Sequence, residues 1–363
     1  MTLSEEQVAT SKAIQQRTGK TFHFATRFLP ERIRYPTYVL YAFFRIADDV
    51  VDTTADVDPA EQRERLAAIR EQALGRAPPE DPVLEAFADL RERHDIPDRE
   101  IDLFVDSMAM DVDTNRYRTH EELADYLRGS AAAVGQMMLE VMDPPEKAAA
   151  RPHASALGDA LQLTNFLRDV REDVLDLDRI YLPAEALAEH GASHDDIEAL
   201  EFSQELAAAI EAELQRAERW YHEGVSGIAS LPEDTQFAVL AAAVMYADYH
   251  RQIRAMGYDV LTQEPSLTVP RRIALLARTW LAWRGSRDPV AVFYRVTDLE
   301  PPADVAGEAG RDREGVQGRT TDVDGASERD RANPTQSGIL AFTRRSLQRT
   351  GDVLRLGPIR DLI

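Results

Sequence analysis

The segment at residues 38–52 reads YVLYAFFRIADDVVD and carries the pattern that decides the fold. At about 100° per residue, four of its polar side chains fall within roughly 60° of one another on a helix. These are Tyr41, Arg45, Asp48 and Asp52. The other faces are apolar enough to be buried, so the pattern predicts a buried helix with one polar stripe that lines a cavity.

A second segment, residues 161–174, reads LQLTNFLRDVREDV and has the same character. On a helix, one side of it would carry Gln162, Asn165, Asp169 and Asp173. Arg168 lies about 100° from the centre of this stripe, and its long side chain would reach the rim. Either segment alone also fits a solvated helix face with i,i+4 ion pairs. Two such segments, each with an arginine on an apolar background, favour two acidic helices that face each other.

These residue types suit a particular chemistry. Carboxylate and amide oxygens are hard ligands for Mg²⁺, which keeps several waters and is usually completed by substrate phosphates. Arginine supplies the planar fork that pairs with phosphate oxygens, and no Ser/His/Asp arrangement is evident. The pattern therefore predicts metal-assisted departure of a diphosphate. The resulting carbocation needs a dry, apolar, aromatic-lined cavity.

The rest of the chain is typical of an all-α protein. Residues 4–296 are rich in alanine, leucine, glutamate and arginine, with apolar residues at spacings of three and four. No segment approaches the roughly 20 apolar residues of a membrane span. The sequence also begins without a secretory signal, so we expect a cytoplasmic protein. The absence of cysteine among 363 residues excludes disulfides, thiolate metal sites and cysteine nucleophiles.

The charge balance is strongly acidic. The formal net charge is −22, and lysine occurs only at positions 12, 20 and 147. Nucleic-acid binders present a basic face, so this balance argues against a nucleic-acid partner. Self-repulsion of this size is removed by strong screening, which favours adaptation to a salt-rich cytoplasm. The alternative is an ordinary acidic protein.

The composition changes near residue 299. Residues 299–336 are poor in large apolar side chains and rich in Gly, Asp, Glu, Arg and Thr, so we expect a disordered acidic linker. Residues 337–363 form a basic tail in which leucine, isoleucine and valine alternate with arginine. This pattern predicts that the tail forms a short amphipathic helix, which would lie in peripheral contact with an anionic membrane. The alternative is a tail that docks on the body of the protein or has no role.

Five segments carry a resemblance to a known family. They are Thr21–Phe22 with residues 25–30, residues 41–49, residues 162–170 with Asp173, residues 179–183, and residues 257–260. Together they resemble the phytoene/squalene synthase family of head-to-head prenyltransferases, and within it the phytoene synthases, of a haloarchaeal type. The resemblance implies a single isoprenoid-synthase-type helical bundle with a central cavity over residues 1–298. It also implies condensation of two geranylgeranyl diphosphates through prephytoene diphosphate to phytoene, in carotenoid biosynthesis.

The resemblance also assigns roles to residues. It implies that Mg²⁺, with Mn²⁺ as a substitute, is held by Asp48, Asp52, Asn165, Asp169 and Asp173. Arg45 and Arg168 would bind diphosphates, while Arg271 and Arg272 are weaker candidates for further phosphate contacts. The side chains expected near the reacting carbons are Tyr41, Gln162, Tyr126 and Tyr246. The stretch Thr18, Gly19, Lys20 and Thr21 would lie over one diphosphate. No NADPH is expected, since phytoene formation consumes no reductant.

Three other functions remain open at this point. A squalene or dehydrosqualene synthase would use two farnesyl diphosphates and differ in cavity depth. A head-to-tail polyprenyl synthase or terpene cyclase fits the DDVVD segment at residues 48–52, although the second motif argues against it. A non-enzymatic acidic scaffold or membrane adaptor is supported only by the tail and the charge.

Two local features depart from these patterns. Residues 130–135 read SAAAVG, and Ala132 stands where relatives usually have glycine, in a region that kinks beside the substrate. Residues 111–122 match a calcium loop at positions 1, 3, 5 and 12. However, Arg116 occupies the sixth position, where the turn needs glycine, so we interpret the match as chance.

Overall fold

A computed structural model describes residues 11–13, 24–52 and 57–302 of the chain. The named helices are α1 (Glu31–Asp52), α2 (Pro59–Ala73), α3 (Pro82–His94), α4 (Asp98–Met110), α5 (His120–Leu127), α6 (Ala133–Met142), α7 (Lys147–Arg168), α8 (Val170–Leu177), α9 (Ala184–Ala188), α10 (His194–Glu198), α11 (Gln204–Ser226), α12 (Glu233–Ala255), α13 (Val269–Gly285) and α14 (Pro289–Thr297). A π-helical turn, Arg128–Ala132, joins α5 to α6, and a 3₁₀ turn, Gly227–Ser230, follows α11. The described residues contain no β-strand, only an isolated β-bridge between Arg116 and Ile180. The predicted all-α bundle is confirmed.

Aspartate followed by proline starts several of these helices. Asp58, Asp81 and Asp288 each accept a hydrogen bond from a backbone N–H in the first turn, at 2.8, 2.7 and 3.0 Å. The proline that follows each of them needs no N–H partner and has a φ suited to the first helical position. These boundaries are therefore encoded locally.

Aromatic side chains fix α1 in the core. Phe43 stacks on Phe87 of α3 with ring centroids 3.8 Å apart, and Phe44 packs on Phe104 of α4 at 4.8 Å. All four rings are fully buried. Phe43 occupies the side of α1 opposite the acidic stripe, and Phe44 lies one turn before Asp48 beside the stripe, so α1 is buried on both of these sides.

Two glycines allow α7 to lie very close to α6 and to the π-helical turn that precedes α6. A Cβ atom on Gly135 would lie 2.3 Å from the carbonyl oxygen of Ala154, and one on Gly158 would lie 2.6 Å from that of Ala131. No larger residue fits at either point without backbone movement. The region that contains Ala132 is the π-helical turn, so the predicted irregularity is present with alanine at that position.

A second aromatic cluster holds the segment after α8. Tyr181 stacks on Phe166 of α7 with centroids 3.9 Å apart and an interplanar angle of 7°. Tyr117 and Tyr126 complete the cluster, at 5.8 and 5.5 Å from the Tyr181 ring. This packing brings Arg179, two residues before Tyr181, into the interior.

The second acidic segment is not one continuous helix, contrary to the sequence prediction. It is interrupted at Asp169, whose φ of −102° and ψ of 12° separate α7 from α8. The Asp169 carboxylate accepts a hydrogen bond from the neighbouring Arg168 Nε at 2.7 Å. Adjacent residues do not face each other on a regular helix, so this pairing accompanies a departure from helical geometry.

The predicted domain boundaries are only partly covered by the described residues. The last described helix ends at Thr297, beside the predicted boundary at residue 298. The linker and the basic tail lie outside the described residues, apart from residues 299–302, and remain predictions. Within the described part of the chain, no helix combines the length and apolar character needed to cross a membrane.

Candidate active site

The first acidic motif is organised by Arg45. This guanidinium lies 2.6 Å from Asp48 and 3.8 Å from Asp52, and it also contacts Asp49. Arg45, Asp48 and Asp52 are all buried, whereas the Asp49 side chain is about half exposed. The predicted stripe thus exists, and it carries one more negative charge than its arginine neutralises even without Asp49.

Burial raises the pKa of both inner carboxyl groups of this motif. For Asp48 the largest cause is desolvation, followed by repulsion from Asp52, and Arg45 opposes both. For Asp52 desolvation again dominates, opposed by Arg179 and Arg45. Oδ1 of Asp48 and Oδ2 of Asp52 accept no hydrogen bond from the described residues. Buried carboxylate oxygens in this condition are unfavourable unless a cation binds them.

The second motif surrounds the end of α7. Asp173 is buried, and desolvation and the nearby Asp169 raise its pKa. Both amide atoms of Asn165 are buried and lack a hydrogen-bond partner among the described residues. Arg168 bonds to Asp169 and stacks over the ring of Tyr249 at 4.8 Å. Arg168 is therefore buried, rather than extended at the rim as the helical spacing suggested.

Arg179 connects the two motifs. Its Nη1 donates to Asp52 at 3.2 Å, and its Nη2 donates to the carbonyl oxygen of Val51 at 3.2 Å. Its backbone N–H donates to the carbonyl oxygen of Asp173 at 3.0 Å. Asp52 in turn raises the pKa of Asp173, and Arg179 lowers it. The two acidic motifs therefore share one electrostatic environment.

Asp111 anchors Arg179 from the other side. Its buried carboxylate accepts hydrogen bonds from Tyr126 at 2.9 Å and Tyr181 at 3.4 Å, and it lies 3.9 Å from Nε of Arg179. Burial raises the pKa of Asp111 to about 6, against the opposing effect of Arg179. Sequence pattern alone does not identify Asp111 or Arg179 as site residues. The signal available was the position of Arg179 in one of the matching segments.

An apolar cavity of about 120 Å³ lies between α6, α7 and α12. Its walls include Leu157 and Leu161 of α7 and Ala242 of α12. Asn165 follows Leu161 by four residues, and Tyr246 follows Ala242 by four, so each polar residue continues an apolar helical stripe. The distance along the axis is about 6 Å per step of four residues. Asn165 of the second acidic motif consequently lies beyond one end of the apolar chamber.

The other predicted site residues fall into three groups. Tyr41, Gln162 and Tyr246 are buried on α1, α7 and α12. Tyr126 is also buried, and its hydroxyl is engaged by Asp111. Thr18, Gly19, Lys20 and Thr21 lie outside the described residues.

Two further candidates are explained by other contacts. Arg271 donates two hydrogen bonds to Asp248 of α12, at 3.0 and 2.5 Å. This structural ion pair explains the presence of Arg271 without a phosphate contact. In the segment that mimics a calcium loop, Asp111 faces Arg179 while Asp113 pairs with Arg63. Those two carboxylates serve different partners, in agreement with a chance match.

The side-chain oxygens of the two acidic motifs are potential ligands of a metal ion. Among the described residues, no group of three or more His, Asp or Glu side chains is close enough to form a complete metal site. Mg²⁺ needs only one or two carboxylates when waters and substrate phosphates complete its shell. The oxygens of Asp48, Asp52 and Asn165 that lack hydrogen bonds are hard donors beside a chamber. The residues therefore fit a divalent cation that is bound together with a diphosphate.

Comparisons with known proteins agree with this geometry. A family model described as squalene/phytoene synthase matches residues 15–272. The phytoene synthase of Cereibacter sphaeroides is 33% identical over 293 residues, covering 76% of this chain and 79% of that protein. The phytoene synthase of Mycobacterium tuberculosis is 34% identical over 278 residues, covering 76% of this chain and 88% of that protein.

Solved structures give the same picture of the fold. A dehydrosqualene synthase in complex with a ligand superposes with a TM-score of 0.69 at 26% identity, covering 78% of this chain and 98% of that one. Squalene synthase HpnC from Alicyclobacillus acidocaldarius gives a TM-score of 0.63 at 25% identity, covering 70% and 95%.

Proposed function

This chain belongs to the squalene/phytoene synthase family of prenyl-transferring enzymes, and on that premise we propose that it is a phytoene synthase. The reaction joins two geranylgeranyl diphosphates head to head, through prephytoene diphosphate, to give phytoene. The similarity to curated phytoene synthases extends over about three quarters of the chain, which supports this member of the family over the others.

The observation that carries the proposal is the continuity, along one face of α7, between residues that line the apolar chamber and Asn165 of the second acidic motif. On α7, one helical face runs from Leu157 and Leu161, which line the chamber, to Asn165 at the second motif. A prenyl diphosphate has the same two-part character, an apolar chain with an anionic head. A ligand with its chain in the chamber would place its head beside both motifs.

Each motif would have a distinct part in the reaction. Asp48 and Asp52 on one side, and Asn165, Asp169 and Asp173 on the other, are the residues that would hold divalent metal ions, and enzymes of this family generally depend on such ions. Bound there, Mg²⁺ supplies positive charge that stabilises the departing diphosphate. Arg45 and Arg168 offer planar donors to phosphate oxygens once their present carboxylate partners are shared with metal.

The protein interior would then protect the cation left behind. Apart from Thr26 and His153, the chamber is lined by glycine and by apolar residues, mostly alanine and leucine, and such a lining disfavours water. Tyr41, Tyr246 and Tyr249 lie on the helices beyond the chamber, and aromatic faces stabilise a nearby positive charge. The final proton loss needs no reductant, so we propose that NADPH is not used.

A direct test is product analysis with defined substrates. The purified chain is incubated with Mg²⁺ and either geranylgeranyl diphosphate or farnesyl diphosphate, without NADPH, and the hydrocarbon products are identified by mass spectrometry. Phytoene from the C20 substrate is the expected result. Product from farnesyl diphosphate alone would overturn the proposal.

The second candidate function is squalene or dehydrosqualene synthesis. It is favoured by the solved structures, since those similar in fold include a dehydrosqualene synthase and a squalene synthase. The same incubations, repeated with NADPH, separate the two: dehydrosqualene synthase acts on the C15 substrate without the nucleotide, and squalene synthase needs it.

The basic tail at residues 337–363 carries a separate proposal of peripheral membrane contact, which rests on its sequence alone. Reversing the charge of Arg344, Arg345 and Arg349 in the full chain should weaken co-sedimentation with anionic vesicles. Unchanged binding would contradict a role for the tail.

A further inference from the structure

The helix α13 exposes an unusual number of large apolar side chains. The described residues leave seven such side chains exposed, and four of them lie on this one helix. They are Val269, Ile273, Trp280 and Leu281, with exposed fractions of 59, 54, 46 and 64%. Scattered single apolar residues on a surface need no explanation, but a concentration on one helix indicates an interaction site.

These side chains form a stripe rather than a random set. Val269, Ile273 and Trp280 fall within about 40° of one another around the helix axis, with Leu281 on the flank. The opposite side of α13 is anchored in the protein, since Leu275, Thr279, Ala282 and Trp283 are buried. The helix is therefore held firmly while its apolar stripe faces outward.

The charge of α13 differs from that of the whole chain. The helix contains four arginines and no acidic residue, in a protein of formal net charge −22. Arg271 and Arg278 are paired with Asp248 and Asp298. In contrast, Arg284 stacks over the Trp280 ring at 4.8 Å, and Arg287, just after the helix, stacks over Trp283 at 5.2 Å.

We propose that the outer face of α13, defined as Val269, Ile273, Trp280, Leu281 and Arg284, docks the protein on the surface of an anionic lipid bilayer. Tryptophan with an adjacent arginine suits the membrane–water interface. There the apolar ring can lie among the lipid chains while the guanidinium stays among the charged headgroups. In the described part of the chain, no carboxylate lies within the 4.0 Å ion-pair distance of Arg284 or Arg287, so lipid phosphates would supply their anionic partners.

The net negative charge of the protein does not prevent this contact. At about 0.1 M salt, charges more than about 10 Å away are largely screened, so the local basic helix decides which side approaches the membrane. The rest of the acidic surface favours the orientation in which α13 is nearest to the lipid.

Charge also argues against two other occupants. The tail at residues 337–363 contains Arg344, Arg345, Arg349, Arg355 and Arg360 against two aspartates, so it is basic like α13. A second copy docked through a two-fold axis would bring the basic face of one α13 against that of the other. An anionic bilayer has the complementary charge.

The test uses the full chain and a matched pair of substitutions. Leu281→Glu places a charge on the outer face of α13, whereas Leu175→Glu makes the same change on α8, at a leucine with a similar exposed fraction of 55%. Binding to vesicles of phosphatidylcholine with one third phosphatidylglycerol is measured by flotation at 0.1 M and 1 M salt. Melting temperatures confirm that both variants fold, as expected for side chains more than half exposed.

We expect Leu281→Glu to weaken partitioning about tenfold or more, since it replaces a membrane-inserted apolar side chain by an anion. Leu175→Glu should bind like the wild type. Equal binding by all three proteins would overturn the proposal, and so would a wild type that fails to float. Loss of self-association, measured by sedimentation velocity, in Leu281→Glu without loss of vesicle binding would assign the face to a second copy. Loss of binding only on charge reversal of the tail would assign membrane contact to the tail.

Discussion

The two acidic motifs reach the same electrostatic environment by different routes. Asp48 and Asp52 lie on one unbroken helix, α1, and an arginine of the same helix pairs with both. Asp169 and Asp173 are separated by the break between α7 and α8, and Asp169 pairs with its immediate neighbour Arg168. The first motif is thus rigid and preorganised, while the second is mounted on a helix end whose backbone is already irregular.

Their hydrogen-bonding states differ as well. In the first motif, Arg45 and Arg179 partly neutralise the carboxylates. In the second, the amide of Asn165 has no partner among the described residues. The comparison indicates that both motifs hold buried oxygens that favour a cation, and that the second also holds an unfavourable buried amide until a ligand binds. The experiments below test the two motifs and the residues that link them, in order of expected effect.

The largest effect should follow neutralisation of either motif. Asp48→Asn and Asp173→Asn should each lower turnover by about a thousandfold or more, because transition-state charge loses its stabilisation. The melting temperature should be unchanged or slightly higher, since desolvation and carboxylate repulsion raise the pKa of both groups. Initial rates and thermal melts check both expectations.

The control for this pair is Asp125→Asn, which removes the same charge from an exposed residue on α5. Its only described partner is the exposed Arg128, 3.1 Å away, so it should behave like the wild type. A motif variant with wild-type activity would remove that aspartate from the site.

The next largest effect concerns the link between the motifs. Arg179→Gln should destabilise the fold by about 3 kcal/mol or more, because it leaves buried Asp52 and Asp111 without their shared counter-charge. Chemical denaturation measures the loss. Combining Arg179→Gln with Asp111→Asn should recover part of it, as fewer unpaired charges remain. If the double variant is as unstable as the sum of the single ones, the two residues are not coupled.

A smaller effect separates two neighbouring polar residues of α7. Thr164 is fully satisfied, bonding to Ala160, Tyr221 and His250 at 2.7, 3.0 and 2.9 Å. Thr164→Val should therefore cost about 1–3 kcal/mol in the free energy of unfolding. Asn165→Leu should cost nothing or stabilise the metal-free protein, since it removes two amide atoms that lack hydrogen bonds.

The same Asn165 variant tests the ligand-binding role. Saturating Mg²⁺, at about 100 times its Kd in the presence of inorganic diphosphate, should raise the wild-type stability by about 2.7 kcal/mol, and Asn165→Leu should respond less. A variant that gained the full metal-induced stabilisation would show that Asn165 is not a ligand.

The smallest effect is a pH dependence at Asp111. Burial raises its pKa to about 6, so between pH 6 and pH 4 the folded protein binds a proton that the unfolded chain does not. Stability should therefore rise as the pH falls from 7 to 5, by about 1 kcal/mol from this group. In chelator-treated protein, the melting temperature of the wild type should rise by a few degrees more than that of Asp111→Asn. Equal rises would contradict the assignment.

Much of the site could be predicted from local pattern. The stripe of α1 and the apolar character around it follow from helical periodicity, which depends only on spacing along the chain. The same reasoning was wrong for the second segment, where it extended one helix through Asp169. The pairing of Arg168 with its neighbour is not visible in periodicity, because a regular helix keeps adjacent side chains apart.

Arg179 and Asp111 show where pattern reasoning stops. Neither residue belongs to an amphipathic stripe, and Asp111 stood in a segment interpreted as a chance match. Arg179 meets Asp52 across 127 positions of sequence, and it does so because Tyr181 stacks on Phe166 and draws the segment after α8 inward. Such a meeting depends on packing between distant elements.

Residue type and helical spacing are local properties, so the helical class, the polar stripe of α1 and the chemistry of its donors follow from the order of the amino acids. The packed bundle, in contrast, sets which charges share a buried environment, where the second helix breaks, and which helix turns an apolar face outward. Those properties depend on the burial of each side chain and on its neighbours from remote parts of the chain, and both exist only once the bundle has packed.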